Sequence, residues 1–163
     1  MDLIEMSVDS IRVHMPSGQH VVVLKEKDAD RFLPIWVGMA EANAIALKIS
    51  GVQPERPVTH DLMVNMLKAL QVTVTRVLVS ELRNDTFYAR IMARANGRAL
   101  ELDARSSDAI ALAVRMGAPI FVAKEVLDQA AVLPEGEDED AKLEVFQQMV
   151  NEMNLPDLED RDS

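Results

Sequence analysis

At 163 residues, with 48% hydrophobic and 27% charged side chains, the chain has the composition of one folded domain with its own core, not of a disordered segment or two ordinary domains. It contains no cysteine, which excludes disulfides, thiolate nucleophiles and Cys-ligated zinc or iron–sulfur sites. The formal net charge of −10 resides at one end: residues 134–163 carry 2 Lys/Arg against 11 Asp/Glu, whereas residues 1–133 carry 15 against 16. The near-neutral body therefore neither demands nor forbids a phosphate ligand at a local cluster of arginines.

No apolar run approaches the roughly 18 residues that span a bilayer, and MDLIEMSVDS lacks the basic and apolar regions of a signal peptide, so a cytoplasmic protein without membrane contact is expected. LIEMSVDSIRVH alternates, MPSGQH is a turn and VVVLKEK is a second strand, which together make a hairpin. FLPIWV follows as a third strand, placed at an edge or bulge by Pro34 and ended by Gly38. MAEANAIALKIS, 39–50, is an alanine-rich helix stopped by Gly51, with Glu41 its only acid.

The polar loop VQPERP leads into RPVTHDL, and apolar residues at 62, 63, 66, 67 and 70 mark a second helix with Thr59 as the expected N-cap. VTVTRVLVSEL, TFYARIMARA and RALELDA, separated by turns at RND and Asn96-Gly97, predict an antiparallel three-strand meander. In DARSSDAIALAVRMGAPIFV a strand ends at Asp103, Ser106 or Ser107 caps a helix, Gly117 closes it, and a short strand follows Pro119. This strand-helix-strand unit makes the sheet mixed. The expectation is one α+β domain over 1–133, with a mixed sheet flanked by helices, and a tail over 134–163. The tail holds an acidic linker and an amphipathic helix with apolar residues at 143, 146, 149, 150 and 153.

Two polar segments are candidates for chemistry. In RPVTHDL, His60 stands beside Arg56 and Asp61 at a helix start, where phosphate can bind and a histidine can act as acid or base. Capping and dipole compensation explain Thr59 and Asp61 equally well. In DARSSD, Asp103 and Asp108 could hold Mg²⁺ or Mn²⁺ while Arg105 and helix amides address a phosphate; the structural alternative is a serine cap with Arg105 neutralising Asp103. Glu41 is either a third metal carboxylate or a first-turn acid. Trp36 and Phe87-Tyr88 could stack bases, but their apolar flanks favour the core. Gly-rich phosphate loops, G-x-S-x-G, H-E-x-x-H and zinc-finger patterns do not occur.

LPIWVGMAEANAIAL (33–47), RPVTHDL (56–62), TFYARI (86–91) and DARSSDAIALAVRMGAPIFV (103–122) together resemble the bifunctional nuclease (BFN) domain family, once catalogued as a domain of unknown function, in a bacterial form with an acidic C-terminal tail. The resemblance implies a compact domain on a curved mixed sheet, homo-oligomers, and hydrolysis of RNA and DNA, an activity attributed to plant members. The family's polar motif positions map onto Glu41, Arg56, His60, Asp61, Asp103, Arg105, Ser107 and Asp108. Ser106 departs from the family pattern, which usually has proline there, and the tail does not resemble the UVR-type motif that plant relatives can carry.

Three functions follow as expectations. The first is a metal-assisted nuclease in which Glu41, Asp103 and Asp108 hold Mg²⁺ or Mn²⁺. His60 shuttles a proton with Asp61 beside it, and Arg56, Arg105 and Ser107 hold the substrate. The second is a non-catalytic homo-oligomeric module whose tail helix recruits a protein partner. The third is a binder of nucleotides or other small anions at the helix starts.

Overall fold

Alternating apolar and polar side chains build seven strands, and the runs between them build four helices, in the computed structural model, which describes residues 1–133. The acidic linker and tail helix expected beyond residue 133 lie outside the described residues. In chain order the elements are β1 (Leu3–His14), β2 (Gln19–Glu26), β3 (Phe32–Val37), α1 (Met39–Ile49), α2 (Thr59–Ala69), β4 (Thr73–Arg83), β5 (Thr86–Ala95), β6 (Arg98–Arg105), α3 (Ser106–Met116), β7 (Ile120–Ala123) and α4 (Lys124–Ala130). The strands form one mixed, open sheet in the order β3-β2-β1-β7-β4-β5-β6, in which only β4 and β7 run parallel.

Two meanders supply most of this sheet. β1–β2–β3 pair antiparallel at one end and β4–β5–β6 at the other, and β7 lies between β1 and β4. The two tight turns of the second meander, Asn84-Asp85 and Asn96-Gly97, have positive φ at both central residues, the backbone that best matches strand twist in a two-residue hairpin. Pro34 sits on β3, an edge strand, as its missing N–H requires. Register breaks between Val8 and Ser10 in β1 and at two points in β4 add curvature.

One face of the sheet carries the core. Val22, Leu24, Leu33, Ile35, Val77, Val79, Ile91 and Val122 pack there against Ile45 of α1, Val64 of α2, Val126 and Leu127 of α4, and the length of α3. α3 touches α1, α2, the strands β4 and β5, and both edge strands, β3 and β6. A flat sheet could not offer both edges to one helix, so the sheet curls around α3. Its sequence permits this: Ala109, Ala111 and Ala113 have no exposed surface, and their short side chains let neighbours close in on every side.

Several boundaries differ from the sequence expectation. β6 runs through Asp103 to Arg105 and passes into α3 with no loop, so Arg105 is the N-cap and Ser106 and Ser107 are buried inside the helix start. A serine can cap only from the extended position before the first turn, and neither occupies it. For the same reason Thr59 is the first helical residue of α2, and Val58 is its N-cap. EVLDQAA forms most of α4, a short helix that the sequence pattern did not announce.

Replacing Ala111 with leucine is expected to destabilise the fold by about 1–3 kcal/mol, because the added atoms have nowhere to go without shifting a helix or a strand. Urea unfolding measures this; an unchanged midpoint would mean that α3 has space beside it.

Candidate functional site

Four polar side chains from three separate segments join in one chain of hydrogen bonds. Arg105, at the end of β6, donates from Nε to Asp108 Oδ2 at 2.7 Å and from Nη2 to Glu41 Oε1 at 2.9 Å. The other oxygen of Asp108 lies 2.9 Å from His60 Nε2. The sequence Glu41–Arg105–Asp108–His60 thus links the first turns of α1, α3 and α2. Exposure peaks at Arg105, whose side chain is 68% exposed, and falls on both sides of it, to 15% at Glu41 and to 25% at Asp108 and 7% at His60.

The local fold explains each placement. The loop-free junction between β6 and α3 fixes Arg105 one turn from Asp108. Gly38 is the N-cap of α1, and a Cβ there would fall 2.2 Å from Glu41 Oε2, so Glu41 can lie across the start of its own helix only because residue 38 has no side chain. His60 reaches α3 because the first turn of α2 crosses it.

Electrostatics keep Asp108 ionised and Arg105 charged. Burial pushes the Asp108 carboxyl up, but hydrogen bonds from Arg105 and His60 and their charges outweigh it and leave Asp108 below its ordinary value. Arg105 is raised, chiefly by the Asp108 hydrogen bond and then by Glu41. Because Asp108 is an ionised acceptor, Nε2 of His60 is the ring nitrogen that carries the proton.

The other candidates fall elsewhere. Asp61, although next to His60, turns toward the far end of α3: it accepts from Arg115 Nε at 2.8 Å and from the Val58 amide at 3.1 Å, half of a capping box. Arg115 follows Asp108 by seven residues, two helical turns along the same face, so the neighbouring side chains of α2 grip α3 at points about 10 Å apart. Asp61 and Arg115 also line a cleft of about 410 Å³ with Lys48 and Glu55. Asp103 is exposed on β6, in register with Arg90, and joins neither Glu41 nor Asp108. Arg56 is exposed in the loop before α2, and Ser107 is buried against a second cleft, of about 470 Å³, that Arg105 also lines.

Glu41 and Asp108 therefore converge and Asp103 does not. Among the described residues no three His, Cys, Asp or Glu side chains are grouped to hold a metal ion. The two converging carboxylates have the hard-oxygen chemistry of Mg²⁺ or Mn²⁺, and such ions commonly take only one or two protein carboxylates beside substrate oxygens. Sequence reasoning missed Arg115 as the partner of Asp61 and Gly38 as the residue that admits Glu41. The only signal for Arg115 was its seven-residue spacing from Asp108.

Comparison with known proteins bears on this geometry. The family model for the bifunctional nuclease domain matches residues 22–135. Uncharacterized proteins from two strains of Mycobacterium tuberculosis are 44% identical over 138 residues, covering 84% of this chain and 82% of theirs. Bifunctional nuclease 1 of rice, Oryza sativa, is 27% identical over 120 residues, which span 71% of this chain and 36% of the rice protein. No described helix is long and apolar enough to cross a membrane.

Asp61→Asn is expected to cost about 2–3 kcal/mol at neutral pH, because the Arg115 side chain, 5% exposed, loses its counter-ion. Arg115 and Val58 hold the Asp61 carboxyl below its usual value of 3.8, so its contribution is present above that value and is lost as pH falls through the lower folded value. Urea midpoints of wild type and variant should accordingly differ at pH 7 and converge as the pH is taken well below 3.8.

Proposed function

The chain belongs to the bifunctional nuclease domain family, and on that premise we propose that it hydrolyses phosphodiester bonds of RNA and DNA at the Glu41–Arg105–Asp108–His60 network. The observation that carries this reading is the meeting of these four side chains, from positions far apart in sequence, around one exposed guanidinium. Arg105 is the member that solvent reaches most easily, so it is the one to receive a phosphate oxygen, for which its planar fork is suited.

As Arg105 turns to the phosphate, Asp108 keeps its hydrogen bond from His60 and remains ionised. It accepts a proton from the attacking water, whose oxygen bonds to phosphorus, and the departing oxygen is protonated from solvent. Buried as it is, His60 would act as a positioning residue through Asp108, in place of the proton shuttle expected from the sequence. Glu41, released by Arg105, would hold Mg²⁺ or Mn²⁺, which when bound supplies Lewis-acid polarisation of a phosphoryl oxygen, and Asp108 stays the proton acceptor.

A second reading, a homo-oligomeric binding module, draws on a different observation. Leu62 and Met66 on α2 and Leu70 at its end, spaced by four residues, are each more than half exposed, an apolar stripe that a second subunit would cover. The acidic C-terminal segment beyond residue 133 would then recruit a protein partner. Sedimentation of wild type and Met66→Glu tests the oligomer: the variant should shift to smaller species.

Labelled single-stranded RNA and DNA incubated with Mg²⁺, Mn²⁺ or EDTA test the nuclease. Asp108→Asn should reduce metal-dependent cleavage about 100-fold or more, whereas Asp103→Asn, outside the network, should cut like wild type. Gly38→Ala should lower cleavage about tenfold with little loss of stability. Its Cβ displaces only the mobile end of Glu41, and its φ of −68° suits alanine. Cleavage unaffected by both Asp108→Asn and Gly38→Ala would remove the network from the mechanism.

A further inference from the structure

The cleft of about 470 Å³ beside Arg105 has features that hydrolysis does not use. Its walls are Trp36, near the end of β3, and Phe87, near the start of β5, and its floor is the start of α3. Two residues that line it each carry a buried oxygen with no hydrogen-bond partner: Ser106, through Oγ, in a residue only 3% exposed, and Gln19, through its side-chain oxygen. Buried polar atoms are nearly always paired, so two such oxygens on residues of one cavity are groups for which a bound molecule could supply partners. Both adjoining helices, α1 from Gly38 and α3 from Arg105, begin there without a side-chain cap, which leaves first-turn amides as donors.

The charges around the cleft decide the kind of ligand. Arg105 is taken by one phosphate in the nuclease reading, and Asp85 also lines the cavity, so a second phosphate gains little there. An uncharged planar group fits better: it places its faces against the aromatic walls, gives an N–H to Gln19 and exchanges a hydrogen bond with Ser106. We infer that the cleft receives one unstacked base of a single-stranded nucleic acid whose adjacent phosphate lies on Arg105. The inference rests on the nuclease reading for the identity of the ligand. It adds a substrate class, because a base inside a duplex cannot enter the cleft without being extruded.

Trp36 is the only tryptophan in the chain and lines the cleft, so its fluorescence reports occupancy directly. The experiment titrates the full chain, in EDTA, with a cleavage-resistant phosphorothioate octanucleotide as a single strand, as the matched duplex, and as an abasic strand of equal length. The single strand should change Trp36 emission saturably. The duplex and the abasic strand should need at least about tenfold higher concentration, and Ser106→Ala and Gln19→Leu should each weaken the single strand about tenfold. Ser106→Ala removes one oxygen at constant shape, so it remains informative if Gln19→Leu disturbs β2. Equal responses to single strand and abasic strand, or unchanged affinity in both variants, would overturn the inference. A base-dependent response in a protein that cuts no natural strand would retain the cleft and discard the nuclease; cleavage with no response from Trp36 would do the reverse.

Discussion

The fold depends on burying α3 from every direction at once. A helix of eleven residues with seven buried can be satisfied only by a surface that wraps it, and the wrapping surface is the sheet. Alanines at 109, 111 and 113 keep the helix thin, the bulges in β1 and β4 let the sheet bend, and α1 and α2 close the open side. Because the helix is fixed on all sides, its two ends are fixed too. Each end then becomes an anchor: Asp108 for the polar network and Arg115 for Asp61.

The network that grows from the N-terminal anchor is graded from water to interior. Its outermost member, the exposed guanidinium of Arg105, faces solvent between Glu41 and Asp108, and at its inner end an imidazole is enclosed by protein. The outermost member can exchange partners at little cost, because water and ligand are both at hand. At the inner end, losing a partner strands a polar group, so His60 and Asp108 hold each other in place. This asymmetry leaves Arg105 able to change partners while the rest of the network keeps its geometry.

Much of this architecture was legible in the sequence, for physical reasons that differ by element. Strands such as TFYARIMARA alternate because one face is buried and the other is not, and the observed β5 has those limits. Gly117 ends α3 with a φ of +64°, the conformation for which glycine is the default. The serines misled because capping is a property of position in a turn, and a helix start buried at a strand junction looks the same in sequence as one at the surface. Polar convergence was legible only in part. Glu41, Arg105 and Asp108 were candidates by type and by helix-start position, but nothing local showed that Asp103 would stand apart from them. The pairing of Asp61 with Arg115, 54 residues away, depends on how two helices cross, which no local pattern encodes.

The position of β7 has a consequence for how the chain assembles. Four residues near the end of the described body, Ile120–Ala123, form the seam between the two meanders, pairing with β1 on one side and β4 on the other. Until they arrive, β1 and β4 each present an open edge, and the helix that should fill the curved sheet has no closed surface to fill. The N-terminal strand must therefore wait for residues more than a hundred positions later, a long loop closure that favours slow, late completion of the sheet. During synthesis the growing chain carries two half-sheets with unsatisfied edges, the form in which β proteins are most exposed to aggregation and to pairing with another copy.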